Sequence, residues 1–228
     1  MSTLLTRLTY CYSNVNSDDM KSNKTPYHHG ELKAAIEKIA WDTVAAEGSE
    51  NLSLRACARA ANVDPAAVYR HFKSKDDILI ALTGRAFAEL SAAMLANKEH
   101  VDRAATGEAV LSVGLTYIDY ATRNPNIFSM MFAVAGKIPA DKTDLDSSDI
   151  PNAYQILQDA LTAWLPNLDE EDLEVLSFVL WSNVHGVSEL FNKGLGPDTE
   201  EGRKTRARAV CKMALDGGKN VLLAHSRA

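Results

Sequence analysis

Cysteine is scarce in this chain of 228 residues: Cys11, Cys57 and Cys211 stand far apart, with no CxxC pair. That excludes a disulfide framework and a cysteine-rich zinc site, and it fits a reducing compartment. No GxSxG, HExxH or GxGxxG motif occurs, so the sequence carries none of the usual marks of a hydrolase, a metalloprotease or a dinucleotide enzyme. The segment GPDTEEGRKT, residues 196–205, is one residue too long for a phosphate loop, has Arg203 in place of the lysine, and follows no strand. No apolar run is expected to reach the roughly 18 residues that a membrane span needs. The first residues, MSTLLTRLTYCYSN, lack the apolar core and cleavage site of a secretory signal, so a cytoplasmic protein is expected. No segment reads as a convincing strand, and no repeat is evident.

What is present is an uneven charge. The chain carries a net −6. Residues 21–85 hold ten Lys/Arg and eight Asp/Glu, whereas residues 86–228 hold thirteen and twenty. Such asymmetry points to two jobs. Helical periodicity dominates throughout, so the fold class is all-α. Residues 1–26 are polar and aperiodic and read as a flexible arm. A helix then runs from about His28 to Gly48, where glycine favours a stop. Ser53 is an N-cap residue for a short second helix. Asp64 and Pro65 supply the cap and first residue of a third, Asp64 to Phe72. Lys75-Asp76-Asp77 opens a long helix, and five more are expected near 103–123, 125–134, 151–165, 169–194 and 201–224. The four aspartates of loop 136–151 lack the ligand spacing of a calcium loop.

The two short helices after a longer one have the form of a helix-turn-helix. Val63, Val68 and Phe72 face inward in this reading. Ala66 and Ala67 let the backbone approach a groove, with methyls available to thymine. Arg70 reaches a guanine edge, and Tyr69, His71, Lys73 and Lys75 reach phosphates. On patterning alone, a small bundle with a solvated basic turn fits equally well.

The stretch NLSLRACARAANVDPAAVYRHFKSKDDIL, Asn51 to Leu79, resembles the DNA-binding segment of TetR-type transcriptional regulators. The lead-in YHHGELKAAI, Tyr27 to Ile36, and WSNVHGVSEL, Trp181 to Leu190, resemble one branch of that family, with a Trp…His-Gly signature. The resemblance implies an N-terminal three-helix DNA-binding domain over 27–74 and a helical ligand-binding and dimerisation domain over 75–228. It implies that Ser53 caps the second helix against a phosphate. Ala66, Ala67 and Arg70 would face bases, while Tyr69, His71 and Lys75 hold the backbone of a palindromic operator. His28 and His29 would approach phosphates. A metal at that pair is disfavoured, because adjacent side chains converge poorly on one ion, and no cofactor is expected.

The helix from Glu170 to Lys193 is apolar nearly all round, which suits an element between its own core and a partner. With the last helix it implies a homodimer interface containing Trp181, His185, Gly186, Val210 and Ala214. Gly186 costs about 1 kcal/mol in mid-helix, which suggests close backbone packing. For a small apolar or aromatic effector, Phe87, Tyr117, Phe128, Met131, Phe178 and Asn183 are candidate contacts. The function expected is a ligand-responsive dimeric DNA-binding repressor. An interaction module without a regulatory ligand, or an all-helical enzyme, are the alternatives.

Overall fold

The computed structural model describes residues 29–99, 107–135 and 152–225. The N-terminal arm, His28 and loop 136–151 lie outside the described residues. So does the side chain of His29. All described elements are helical: α1 His29–Glu47, a 3-10 turn at Ser49–Asn51, α2 Leu54–Ala60, α3 Pro65–Tyr69, α4 Lys75–Glu99, α5 Glu108–Arg123, α6 Pro125–Ala135, α7 Ala153–Trp164, α8 Glu170–Asn192 and α9 Glu200–His225.

The capping chemistry explains most of these boundaries. Gly48, at φ 88°, ends α1 in a conformation that a Cβ would strain. Ser53 Oγ accepts from the Ala56 amide at 3.5 Å, and Asp64 Oδ1 accepts from the Ala66 amide at 2.8 Å. Between α2 and α3, Asn62 takes φ 55°. The Val63 amide donates to the Ala58 carbonyl and the Asn62 amide to the Arg59 carbonyl. That pair of bonds is a Schellman closure, and Asn62 fills its left-handed position. At the start of α4, Ser74 and Asp77 exchange amide bonds, each 3.1 Å, as a capping box. The third helix is shorter than the sequence reading. Its regular part stops at Tyr69, and residues to Phe72 continue as turns bonded to the Val68 carbonyl.

The chain forms two compact units. The first holds α1–α3, α4 as far as Glu89, and α6. Its core includes Ile36, Val44, Val68, Phe72, Ile78 and Leu82, each 4% exposed or less. Each such side chain contributes roughly 1.5–3 kcal/mol of burial. Helix α6 joins this unit because it packs on α1. The Asn126 amide donates to the Ala45 carbonyl at 3.0 Å, and the Phe132 ring meets Phe87 and Phe128 at 6.0 and 5.0 Å. The second unit holds α4 from Leu90, with α5, α7, α8 and α9. There α5 packs against α7, α8 and α9. Gly218 of α9 lets that helix close on α8: a Cβ there would stand 2.5 Å from Leu176 Cδ1.

One expectation fails. Residues 75–97 of α4 are long and apolar enough to cross a membrane on length and composition alone. Leu79, Leu82, Ala86, Leu90 and Met94 are instead buried within the protein, each 4% exposed or less.

Candidate functional site

The surface of α2 and α3 is built by the turn at Asn62, which aims two helices from one rigid corner. Arg55 and Arg59 on α2 are exposed, as are Ser53, Ala66, Tyr69, Arg70 and Lys73. Tyr69, 44% exposed, holds a ring in water without a core function. Val68 and Phe72 are buried beneath it, as the periodicity requires. The basic, aromatic stretch is therefore divided: its apolar members anchor the corner, and its polar members face out.

Three of the expected contacts need restating. Ala67 is only 8% exposed, so its methyl faces the core. It lies beside Val68 on the inward arc, which is wider than the sequence reading allowed. His71, one turn on, is half-buried. Lys75 Nζ donates to the Glu50 carbonyl at 2.7 Å, tying the start of α4 to the 3-10 turn before α2. Arg55 and Arg59 are absent from the residues expected from the sequence, although two arginines four apart on a short helix share one face.

The second unit holds a small, partly open cavity of about 30 Å³ between α4, α5, α7, α8 and α9. Its walls include Met94, Leu111, Tyr117, Leu157, Trp181, Asn183, Val184 and Cys211, and no charged side chain. Gly114 gives α5 close access here: a Cβ would sit 3.2 Å from Val184 Cγ1. The Tyr117 hydroxyl is 3.1 Å from His185 Nδ1. Burial raises the Tyr117 pKa well above its usual value, with Glu189 adding to the effect. Burial lowers that of His185, against the pull of Glu189. The neutral pair is favoured on both sides. Burial also pushes the Cys211 thiol up to about 11, so it stays protonated and unreactive at neutral pH.

Of the six expected effector contacts, Tyr117 and Asn183 line this cavity. Phe87, Phe128 and Met131 are core side chains of the first unit, 4% exposed or less. Phe178 is 55% exposed on α8. An aromatic side chain at helical spacing looks the same in either role. The expected interface residues divide likewise. Trp181 is 8% exposed, its ring 5.1 Å from Tyr117 and 5.6 Å from Tyr154, so it belongs inside its own unit. His185 is half-buried against Tyr117. Val210 and Ala214 are half-buried. A Cβ at Gly186 would meet nothing within 4 Å, so the close packing expected there is not found among the described residues. Gly186 and Val210 line an outer groove of about 780 Å³ with Asn183, Leu190, Phe191 and Arg206.

Residues 38–82 match the sequence pattern of bacterial regulatory proteins of the tetR family, and residues 110–210 match a tetracyclin repressor-like C-terminal domain. Together they span more than half of the chain. An uncharacterized HTH-type transcriptional regulator of Haemophilus influenzae is 31% identical over 101 residues, 43% of this chain and 48% of that protein. The chain thus matches about half the length of that relative. Two solved structures share the fold. A TetR-family transcriptional regulator from Streptomyces coelicolor superposes with a TM-score of 0.63 at 18% identity, over 86% of this chain and 83% of that one. A protein of unknown function from Rhodococcus sp. RHA1 gives 0.60 at 23% identity, over 86% and 97%. Both halves of the chain, its cationic helical corner and these likenesses agree: this chain belongs to the TetR family of transcriptional regulators, DNA-binding proteins rather than enzymes.

Proposed function

We propose that the protein is a dimeric repressor, released from a palindromic operator when a small apolar or aromatic effector enters the second unit. The observation that carries this reading is the uncharged, mostly apolar cavity around Tyr117 and Trp181. Its lining is apolar with Asn183 and Tyr117 as the few polar groups, which is the composition of a site for an apolar molecule. Dimerisation is supported by apolar side chains left in water on α8 and α9: Val175, Phe178, Val179 and Leu190 on one, Met213 and Val221 on the other. To bind a palindrome, a dimer paired through this face must present its two α3 helices about one DNA turn, roughly 34–36 Å, apart. Within each half-site, Arg70 and Ala66 read bases. Ser53, Tyr69, His71 and Lys75 hold phosphates, joined by Arg55 and Arg59. We place the functional division at Lys75, with residues 27–74 binding DNA and 75–228 sensing and pairing, although α4 as far as Glu89 and α6 pack within the first unit.

Coupling follows from α4. It is one continuous helix of 25 residues that begins just after α3 and ends beside the cavity wall at Met94. An effector that prefers one tilt of α4 shifts the spacing of the two recognition helices, through its differential affinity for the two states. By linkage, operator DNA must weaken effector binding by the same factor. The test is a mobility-shift screen of genomic fragments with competitor DNA, then calorimetry of an effector against free and operator-bound protein. Equal affinities in the two states would remove the coupling and leave the second unit as a pairing module.

A further inference from the structure

We infer that the cavity takes an uncharged molecule bearing one hydrogen-bond donor, with the donor at Asn183 and the apolar body turned toward Met94 and Leu157. This rests on the reading that the cavity is the effector site, and it adds the chemical class and the direction of entry.

Charge is excluded first. None of the lining side chains is ionised at neutral pH. A carboxylate or ammonium would lose its water there and gain no counter-charge. The available polar atoms are then few. The Tyr117 hydroxyl is engaged with His185 Nδ1. The Cys211 thiol is a weak donor and a weak acceptor. Asn183 Oδ1 is buried and has no hydrogen-bond partner. A buried carbonyl oxygen without a donor is costly, so a ligand N–H or O–H placed there recovers a bond that the empty protein lacks.

Direction comes from the two sides of the same residue. Asn183 lines both the inner cavity and the outer groove beside Gly186, whereas Met94 and Leu157 line the cavity alone. Met94 is 1% exposed and Leu157 5%. Asn183 therefore borders both the interior and the groove, and the polar end of a ligand is placed on that side. The cavity at about 30 Å³ is far below the roughly 150 Å³ that takes a benzene ring. Binding must therefore widen it. Met94, unbranched and flexible, is the wall residue best able to move.

The probes are phenol, toluene and benzoate. Phenol and toluene have nearly one shape and differ in the donor. Buried without a partner, the phenol hydroxyl would leave it at least about tenfold weaker than toluene. The experiment titrates each into the full-length protein without DNA. Affinity is read by calorimetry and location by the Met94 methyl resonance. Phenol is expected to bind at least as tightly as toluene, and benzoate at least tenfold more weakly than phenol. In Asn183→Leu the phenol-to-toluene preference should fall at least fivefold while toluene binding persists. Phenol trailing toluene tenfold in the unaltered protein overturns the inference, even should the variant fail to fold. So does benzoate matching phenol, or no binding of phenol at millimolar concentration. Because this titration contains no DNA, it tests the chemistry alone; a separate shift assay in which bound phenol leaves the operator complex intact would refute the effector role and spare the chemistry.

Discussion

Replacing Gly186 separates what the single chain wants from what a pair of chains wants. Gly186 sits in the middle of α8, a helix of 23 residues. A glycine there costs about 1 kcal/mol relative to alanine, because its backbone loses more freedom on folding. A Cβ added at this position meets nothing within 4 Å among the described residues. For an isolated protomer, Gly186→Ala should thus stabilise by up to about 1 kcal/mol, and Gly186→Leu by somewhat less. In the proposed dimer the same position lies on the face that carries Ser182 and Leu190, four residues away on either side, both exposed. Two helices that approach over a glycine have no room for a leucine side chain. Overpacking costs roughly 1–3 kcal/mol per site, and each dimer contains two sites. The signs are opposite, which is what makes the experiment decisive.

The assay is sedimentation equilibrium over a concentration series, paired with thermal melts at a dilution that leaves protomers alone. Gly186→Leu should weaken the dimer at least tenfold, and Gly186→Ala should weaken it less while raising the melting temperature of the protomer. A dimer constant that is unchanged or tighter in Gly186→Leu refutes pairing through this face. An unaltered protein that sediments as a monomer at micromolar concentration refutes pairing altogether.

Other expectations follow from the DNA-facing corner and the buried pair. Arg70→Ala should cost roughly 1–3 kcal/mol and relax preference at one base per half-site, as read by shift assays on single-base operator variants; a uniform loss would make Arg70 a phosphate contact. Lys75→Ala should weaken all DNA alike and lower the salt slope by about one. It should also remove roughly 0.5–1.5 kcal/mol of stability, because the ammonium bonds to Glu50; a stability loss with an unchanged slope would assign Lys75 to the fold alone. At Asn62, φ 55°, substitution by Gly should be near neutral and by Val should destabilise by ~1–2 kcal/mol in denaturant melts; equal effects would remove the left-handed turn from the account. For His185 the folded pKa lies below the ordinary 6.5, so the unfolded chain takes up the proton first. Its contribution to stability is complete above about pH 6.5 and is lost as pH falls toward the folded value. His185→Gln should flatten the change in melting temperature between pH 7.5 and 5.5, and a parallel change in both proteins would place the proton elsewhere.

Sequence reasoning recovers the elements of this fold because their ends are chemical. Ser53, Asp64 with Pro65, and Ser74 with Asp77 satisfy amides that a helix start leaves open, and each residue type is visible in the sequence. Partnership among helices is less visible. Helix α6 follows α5 after a single residue, yet it belongs with α1 in the first unit. Its Phe128 and Met131 therefore serve a core that the linear order hides. The same ambiguity governs α4. Its apolar content satisfies a membrane, two cores or a cavity wall equally, and only the packing of Leu82 and Met94 decides.

The side chains of α8 show why the site itself was harder to read than the fold. Phe178 and Trp181 are one turn apart, both large and aromatic, and periodicity places them on one stripe. In the structure Phe178 stands 55% exposed while Trp181 is 8% exposed between two tyrosines. A helix with an apolar residue on every side gives no phase to a periodic signal, so the sequence reports how much of α8 is covered without reporting by what. The distinction rests on neighbours far away in the chain. Tyr117, whose hydroxyl meets His185, and Tyr154 draw the arc through Trp181 inward. The arc through Val175, Phe178, Val179 and Leu190 then has no cover among the described residues, and it is the face that the proposed dimer would use. Asn183 lies where the two arcs meet, lining both the cavity and the groove. One polar residue between two apolar surfaces is the position from which an effector inside and a partner outside can influence each other. In the Asn183→Leu variant, any phenol-dependent change in the dimer constant should therefore disappear together with the phenol preference.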